Sequence, residues 1–287
     1  MNTIEVPERG HKFNIPSHLG ECTPEEYADI CELLFRYQSG EIDYLQFRFA
    51  AVYRFLNMVP TNRNLSEVQE QDMNSNIYMI SELIDDFFTK DEDDQLIIRQ
   101  EYHHNPIPSI PLPIGSYIGP KDYLRDVTFG QYVDALNIFA TYAVHPEPEL
   151  LYNLAAIFYR KKGTKYKSSD IENRTKKLQH TGFGYIYGVY MFLASFQHYI
   201  TSATVTWEGK KLDLSILFKS HSTDNSSAST MPGLGMKATA FSLAESGVLG
   251  TLKNVNNTNL WEVLLLMYDV RKNDIESKQR AKDSQTN

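Results

Sequence analysis

Apolar residues recur at three- and four-residue spacing along most of this chain, and punctuation residues cut that pattern into helices. Thr23-Pro24-Glu25-Glu26 has the form of a capping box with proline at the first helical position, so a helix is predicted to start there. Its apolar face, Tyr27, Ile30, Cys31, Leu34 and Phe35, runs until Ser39-Gly40. Asp43 caps a second helix that reaches about Met58, with Leu45, Phe49, Val52, Tyr53 and Leu56 facing inward. The short connection suggests an antiparallel helical hairpin. A third helix is expected over about 67–88, followed by the acidic run Asp91-Glu92-Asp93-Asp94 and a short strand over 95–100. The stretch Thr128–Arg160 reads as two amphipathic helices, about 128–143 and 149–160, joined by a proline-broken turn. Further helices are expected at about 180–202, 235–246 and 258–280. Alternation in TVTWEGKKLDLSILF is compatible with a small β-hairpin over 203–219 around Glu208-Gly209. A Ser/Thr/Asn/Gly loop follows over 220–235, and the polar tail 278–287 is expected to fray.

Residues 105–120 interrupt this pattern with Pro106, Pro108, Pro111, Pro113 and Pro120. Closely spaced prolines favour an extended, polyproline-like path. The segment is therefore read as a linker, or as a docking arm through Pro106, Pro108, Pro111 and Pro113. The expected fold class is mainly α and multi-helical. It divides into an acidic helical region (1–104), a proline-rich linker or arm (105–125), a helical domain (126–277) and a polar tail (278–287).

Composition adds bounds. With 42% hydrophobic and 22% charged residues in 287, the chain matches ordinary globular usage and is long enough for a substantial core. Eighteen Tyr and fifteen Phe suit broad packing or contact surfaces. Two cysteines, Cys22 and Cys31, argue against a disulfide scaffold and for a reducing compartment. The opening MNTIEVPERGHKFNIP lacks the pattern of a secretion signal. Residues 1–125 carry 10 Lys and Arg against 21 Asp and Glu, whereas 126–287 carry 18 against 15. Such asymmetry helps two lobes, or two copies of the chain, to find each other, and makes nucleic-acid binding by the acidic half improbable.

Candidate chemistry is sparse. Thr181–Trp207 holds no formal charge, but its glycines, tyrosines, Gln197 and His198 favour a buried core helix over a membrane span. Gly182, Gly184 and Gly188 follow no buried strand, so close helix approach is favoured over a dinucleotide loop. His103-His104 has no further ligands at metal-binding spacing, and the acidic run lacks the spacing of a calcium loop. Cys31, on an apolar helical face, reads as a core thiol. No catalytic residue, metal or cofactor is assigned. Arg160, Lys161, Lys162, Lys165, Lys167, Arg174, Lys176 and Lys177 form a basic run against Asp170 and Glu172. An exposed loop that meets an acidic surface is favoured over a phosphate-contacting patch, since Tyr166 is the one interleaved aromatic.

The sequence Asp126–Asp134 (DVTFGQYVD) followed by Leu154–Arg160 (LAAIFYR) resembles proteins of tailed bacteriophages that carry an "lt-GEFid" helix and then an "l-A-lYRp" helix. Phe241–Gly247, Val255 and Leu260–Tyr268 are similar to their final segment, in the same order, so the resemblance covers about 126–272. Gln131 stands where an acidic residue is common, and Lys161 where proline is. These phage proteins are described as tail-assembly chaperone-like or uncharacterised virion components. The resemblance implies a non-enzymatic assembly or virion protein, present in the host cytoplasm during assembly and in the particle if it is retained there. Its partners would be other phage proteins, such as tape-measure, tail or portal-proximal components, or further copies of itself. Tyr185, Tyr187, Tyr190 and Trp261, if exposed, would supply the contact. The alternatives are an intracellular enzyme whose site assembles only in the fold, and a packaged protein that touches nucleic acid through 160–177.

Overall fold

A computed structural model describes residues 1–6, 11–58, 66–202, 204–218 and 235–286. The fold is mainly α. Helix α1 (Pro24–Gln38) begins at the expected capping box: Thr23 Oγ1 accepts from the Glu26 amide, and the Glu26 carboxylate accepts from the Thr23 amide at 2.8 Å. The same reciprocal device starts α2 (Tyr44–Phe55) with Asp43 and Gln46, and α3 (Glu67–Ser81) with Ser66 and Gln69. Each box satisfies amides that the first helical turn leaves without intrahelical partners. An antiparallel pair of strands at the N-terminus, β1 (Asn2–Val6) and β2 (His11–Ile15), lies before α1.

Two details differ from the sequence reading in this half. Leu45 is 43% exposed, and α2 turns Phe47, Arg48, Ala51, Val52 and Phe55 inward. Arg48 tolerates burial because its guanidinium donates to Ser81 O (2.9 Å) and Ser81 Oγ (3.1 Å). The third helix stops at Ser81 and continues as a tighter turn over Glu82–Phe87. It then feeds a hairpin of β3 (Phe88–Lys90) and β4 (Leu96–Ile98). The acidic run forms the hairpin turn, where the Asp91 carboxylate accepts from the amides of Asp93 and Gln95.

The proline-rich segment is neither a free linker nor an arm. It forms a second hairpin, β5 (Ser109–Pro111) and β6 (Ser116–Ile118), whose flanks and inner face enter the core through Pro106, Ile107, Ile110 and Tyr117. Pro111 sits at the last paired position, where a missing amide costs the ladder least. Asn105 binds both ends of the loop, donating to Pro120 O at 2.8 Å and accepting from the Ile107 amide at 3.0 Å.

Helices α4 (Phe129–Val144), α5 (Pro148–Phe158), α6 (Ile171–Leu178) and α7 (Phe183–Ser202) follow. Helix α7 is the centre of the molecule and buries Ile186, Tyr187, Val189, Met191, Phe192, Leu193 and Phe196. Among the described residues no helix is long and apolar enough to cross a membrane. Helix α1 packs extensively on α7, across the boundary read at residue 104. Gly184 and Gly188, one turn apart, permit this approach: a Cβ at Gly184 would lie 2.0 Å from Ala28 O, and one at Gly188 would lie 2.7 Å from the Tyr27 ring. Tyr27 Oη donates to Gly188 O at 3.0 Å and lies 2.7 Å from Tyr102 Oη. Cys31 is wholly buried in the same layer, and burial pushes its thiol and that of Cys22 well above the usual range.

The expected hairpin is present as β7 (Thr204–Trp207) and β8 (Lys210–Asp213). Of the loop expected over 220–235, residues 220–234 lie outside the described residues. Helices α8 (Met236–Glu245), α9 (Leu252–Asn257) and α10 (Leu260–Thr286) close the fold. Helix α10 runs on through the tail that was expected to fray, with Lys278 and Arg280 pairing with Asp274 and Glu276 one turn earlier. Tyr187 and Trp261 are buried, so they are not available as contact aromatics on the surface; Tyr185 and Tyr190 are half-buried.

Candidate peptide-binding cleft

The basic run and the proline segment meet. Ile118 and Arg160 exchange backbone hydrogen bonds (2.8 and 3.2 Å), which ties β6 to the chain leaving α5. Thr181 Oγ1 donates to Pro111 O at 2.7 Å, which ties the other strand to the start of α7. The hairpin tip therefore stands beside Lys161, just after Arg160, and beside Lys177 and His180 at the end of α6. Together they enclose a cleft of about 560 Å³ whose apolar wall is Leu112, Pro113, Ile114 and Tyr117. Ile114, at the tip, is 93% exposed. Among the described residues no carboxylate lines this cleft.

Other members of the basic run are divided among different tasks. Arg174 is buried and donates to Ala156 O (2.7 Å) and Lys167 O (3.2 Å), with its guanidinium over the Tyr166 ring. Arg160 donates to Thr164 O and Phe158 O. Lys176 pairs with Glu172 at 2.7 Å. Lys162, Lys165 and Lys167 are exposed. The run is thus no continuous phosphate-facing strip: its arginines hold carbonyls of α5 and of the loop after it, and Lys161 and Lys177 line the cleft. Of the expected docking prolines, Pro113 faces the cleft, Pro106 is buried, and Pro108 and Pro111 sit exposed on the hairpin.

Sequence reasoning missed Ile114 and His180. The signal for Ile114 was an isoleucine between Pro113 and Gly115, a turn position where a large apolar group gains nothing from the fold itself. His180 carries no local signal, because only the turn after α6 brings it to the hairpin.

A second recess, about 570 Å³, lies between α4, α8, α9 and the 166–169 loop, and holds Asp134, Tyr166, Lys167 and Lys237. Tyr166 Oη donates to Asp134 Oδ2 at 2.6 Å, and burial together with that carboxylate keeps the phenol well above its ordinary range. The carboxylate is therefore engaged by a proton that stays in place at neutral pH, which suits a structural bridge better than a base beside a nucleophile. The His103 ring lies against Tyr199 with centroids 4.1 Å apart and planes tilted by 35°, while His104 is exposed. Among the described residues no three His, Cys, Asp or Glu side chains gather as a metal site would require. Comparisons with protein-family models, curated proteins and solved structures gave no match to this chain.

Proposed function

We propose that the protein is a non-catalytic assembly factor or virion component of a tailed phage, and that it holds an acidic, partly apolar segment of another phage protein in the hairpin cleft. The observation that carries the binding half of this reading is Ile114, almost fully exposed beside Lys161, Lys177 and His180 with no acid among them. An isolated isoleucine kept in water forgoes about 1.5–3 kcal/mol of burial, which a partner side chain across the cleft returns. The lysines add selectivity for acidic segments and speed encounter more than they add affinity. The phage context rests on the resemblance of residues 126–272.

The test is photo-crosslinking from a benzoyl-phenylalanine at position 114, with the tagged protein expressed in infected cells. The expected product is one discrete adduct with a phage protein, identified by mass spectrometry, through a peptide rich in Asp or Glu flanking apolar residues. Lys161→Glu with Lys177→Glu should abolish the adduct. Adducts spread over abundant host proteins, or unchanged in the double variant, would remove the proposal.

A further inference from the structure

A third recess, of about 280 Å³, is independent of the cleft and lies where the 121–125 turn, the end of α7, strand β7 and the start of α10 meet. Its walls are rings. Trp207 and Trp261 stack with centroids 5.7 Å apart and planes 19° apart, while Tyr123 and Tyr199 meet edge to face at 5.6 Å. His103 packs against both tyrosines. Arg125 projects over the Tyr123 ring at 5.0 Å, is exposed, and makes no ion pair among the described residues. Among the described residues no carboxylate lines the recess, and its remaining polar side chains are Thr204 and Thr206.

The frame that holds these rings is closely specified. Tyr123 and Leu124 both sit at positive φ (58° and 53°), a conformation that non-glycine residues adopt at a cost. They are kept there by the Tyr123 amide donating to His103 O (2.8 Å) and by Trp261 Nε1 donating to Tyr123 O (2.7 Å). The backbone thus fixes Tyr123 and, two residues on, Arg125 at the same mouth. Burial holds His103 below its usual range, so at neutral pH it is an uncharged flat ring.

Flat π-faces accept any planar ring by stacking, and a free guanidinium beside them selects rings that carry an anion. A recess of about 280 Å³ takes one planar ring system and leaves an attached sugar and phosphate at its mouth. We infer that this recess binds a nucleoside 5′-phosphate, base against the Trp207, Tyr199 and His103 faces and phosphate on Arg125. The shared chemistry has two sources, a free mononucleotide or the 5′-phosphorylated end of a strand.

The chain's two tryptophans are both in this recess, so their emission reports on it alone. The full chain is titrated with AMP, dTMP, thymidine, a 5′-phosphorylated dT decamer and the same decamer without phosphate, with excitation at the red edge of tryptophan absorption. Saturable quenching by AMP and dTMP is expected, with thymidine weaker by about tenfold or more, the usual size of one lost charge-assisted contact. Arg125→Ala should weaken AMP by a similar factor without changing the far-ultraviolet circular dichroism, and Arg125→Lys should restore part of it. Tighter binding of the phosphorylated decamer than of dTMP assigns the strand end; weaker binding assigns the free nucleotide. No saturable quenching by either mononucleotide, or equal quenching by thymidine that survives Arg125→Ala, would overturn the inference.

Discussion

Gly184→Ala tests the contact on which the whole architecture hangs. One added carbon would stand 2.0 Å from Ala28 O and 2.8 Å from Ala28 C, both backbone atoms of α1 that no side-chain rotation can move. An ordinary C···O approach is about 3.3 Å, so α1 must withdraw from α7 by more than about 1 Å. Overpacking of this kind costs about 1–3 kcal/mol. Withdrawal also stretches the bond from Tyr27 Oη to Gly188 O, now 3.0 Å, worth about 1 kcal/mol. Alanine returns at most about 1 kcal/mol of helix propensity. The net loss should be about 1–3 kcal/mol, read by urea unfolding followed through the helical circular dichroism. Gly182→Ala is the control, because its Cβ would meet nothing closer than the Tyr185 ring at 3.7 Å; it should stay within about 0.5 kcal/mol. Equal midpoints for Gly184→Ala and Gly182→Ala would refute the close crossing of α1 and α7.

Three further outcomes are expected. Arg48→Met should cost about 1–3 kcal/mol in the same assay, since Ser81 O loses its buried partner, and Arg48→Lys should not fully rescue it; a neutral Arg48→Met would show that the guanidinium is dispensable. Glu208, at φ 47° beside Gly209 in the two-residue turn between β7 and β8, occupies a position that favours asparagine, so Glu208→Asn should stabilise by about 0.5 kcal/mol, and a loss would contradict the turn geometry. His103 is held below 6.5, so the unfolded chain binds its proton more readily: the stability that burial of the neutral ring allows is present above that pH and declines as pH falls through it. Thermal unfolding of His103→Phe between pH 7.5 and 5.5 should show a shallower decline than the unaltered protein, and parallel curves would refute the assignment.

What could be read in the sequence followed from short-range signals. The box at Thr23, the cap at Asp43 and the Glu208-Gly209 turn announce themselves within four residues, and each is where it was expected. Helix α6 was hidden because its inward face is Arg174, Thr175 and Leu178, two of which look like surface residues until their partners are known. The hairpin of β5 and β6 was hidden because prolines that suit an extended chain equally suit a short edge strand, and only Ile107, Ile110 and Tyr117 entering the core decide between them. The cleft required both: its wall comes from one concealed element, Lys177 from the end of the other, and Lys161 from the chain leaving α5. The aromatic recess gathers residues from positions 103 to 261, a separation that no local pattern reports.

The pairing of α1 with α7 also governs how the molecule can be made. Residues 24–38 leave the ribosome long before residues 183–202, and until those arrive the face of α1 that meets Gly184 and Gly188, with Tyr27 on it, lacks its native cover. A nascent chain stopped anywhere before about residue 202 would leave that apolar face open, and it would recruit holdase chaperones or self-associate. Synthesis of the second half is therefore the event that makes the first half foldable, and expressing residues 1–104 alone should yield insoluble material.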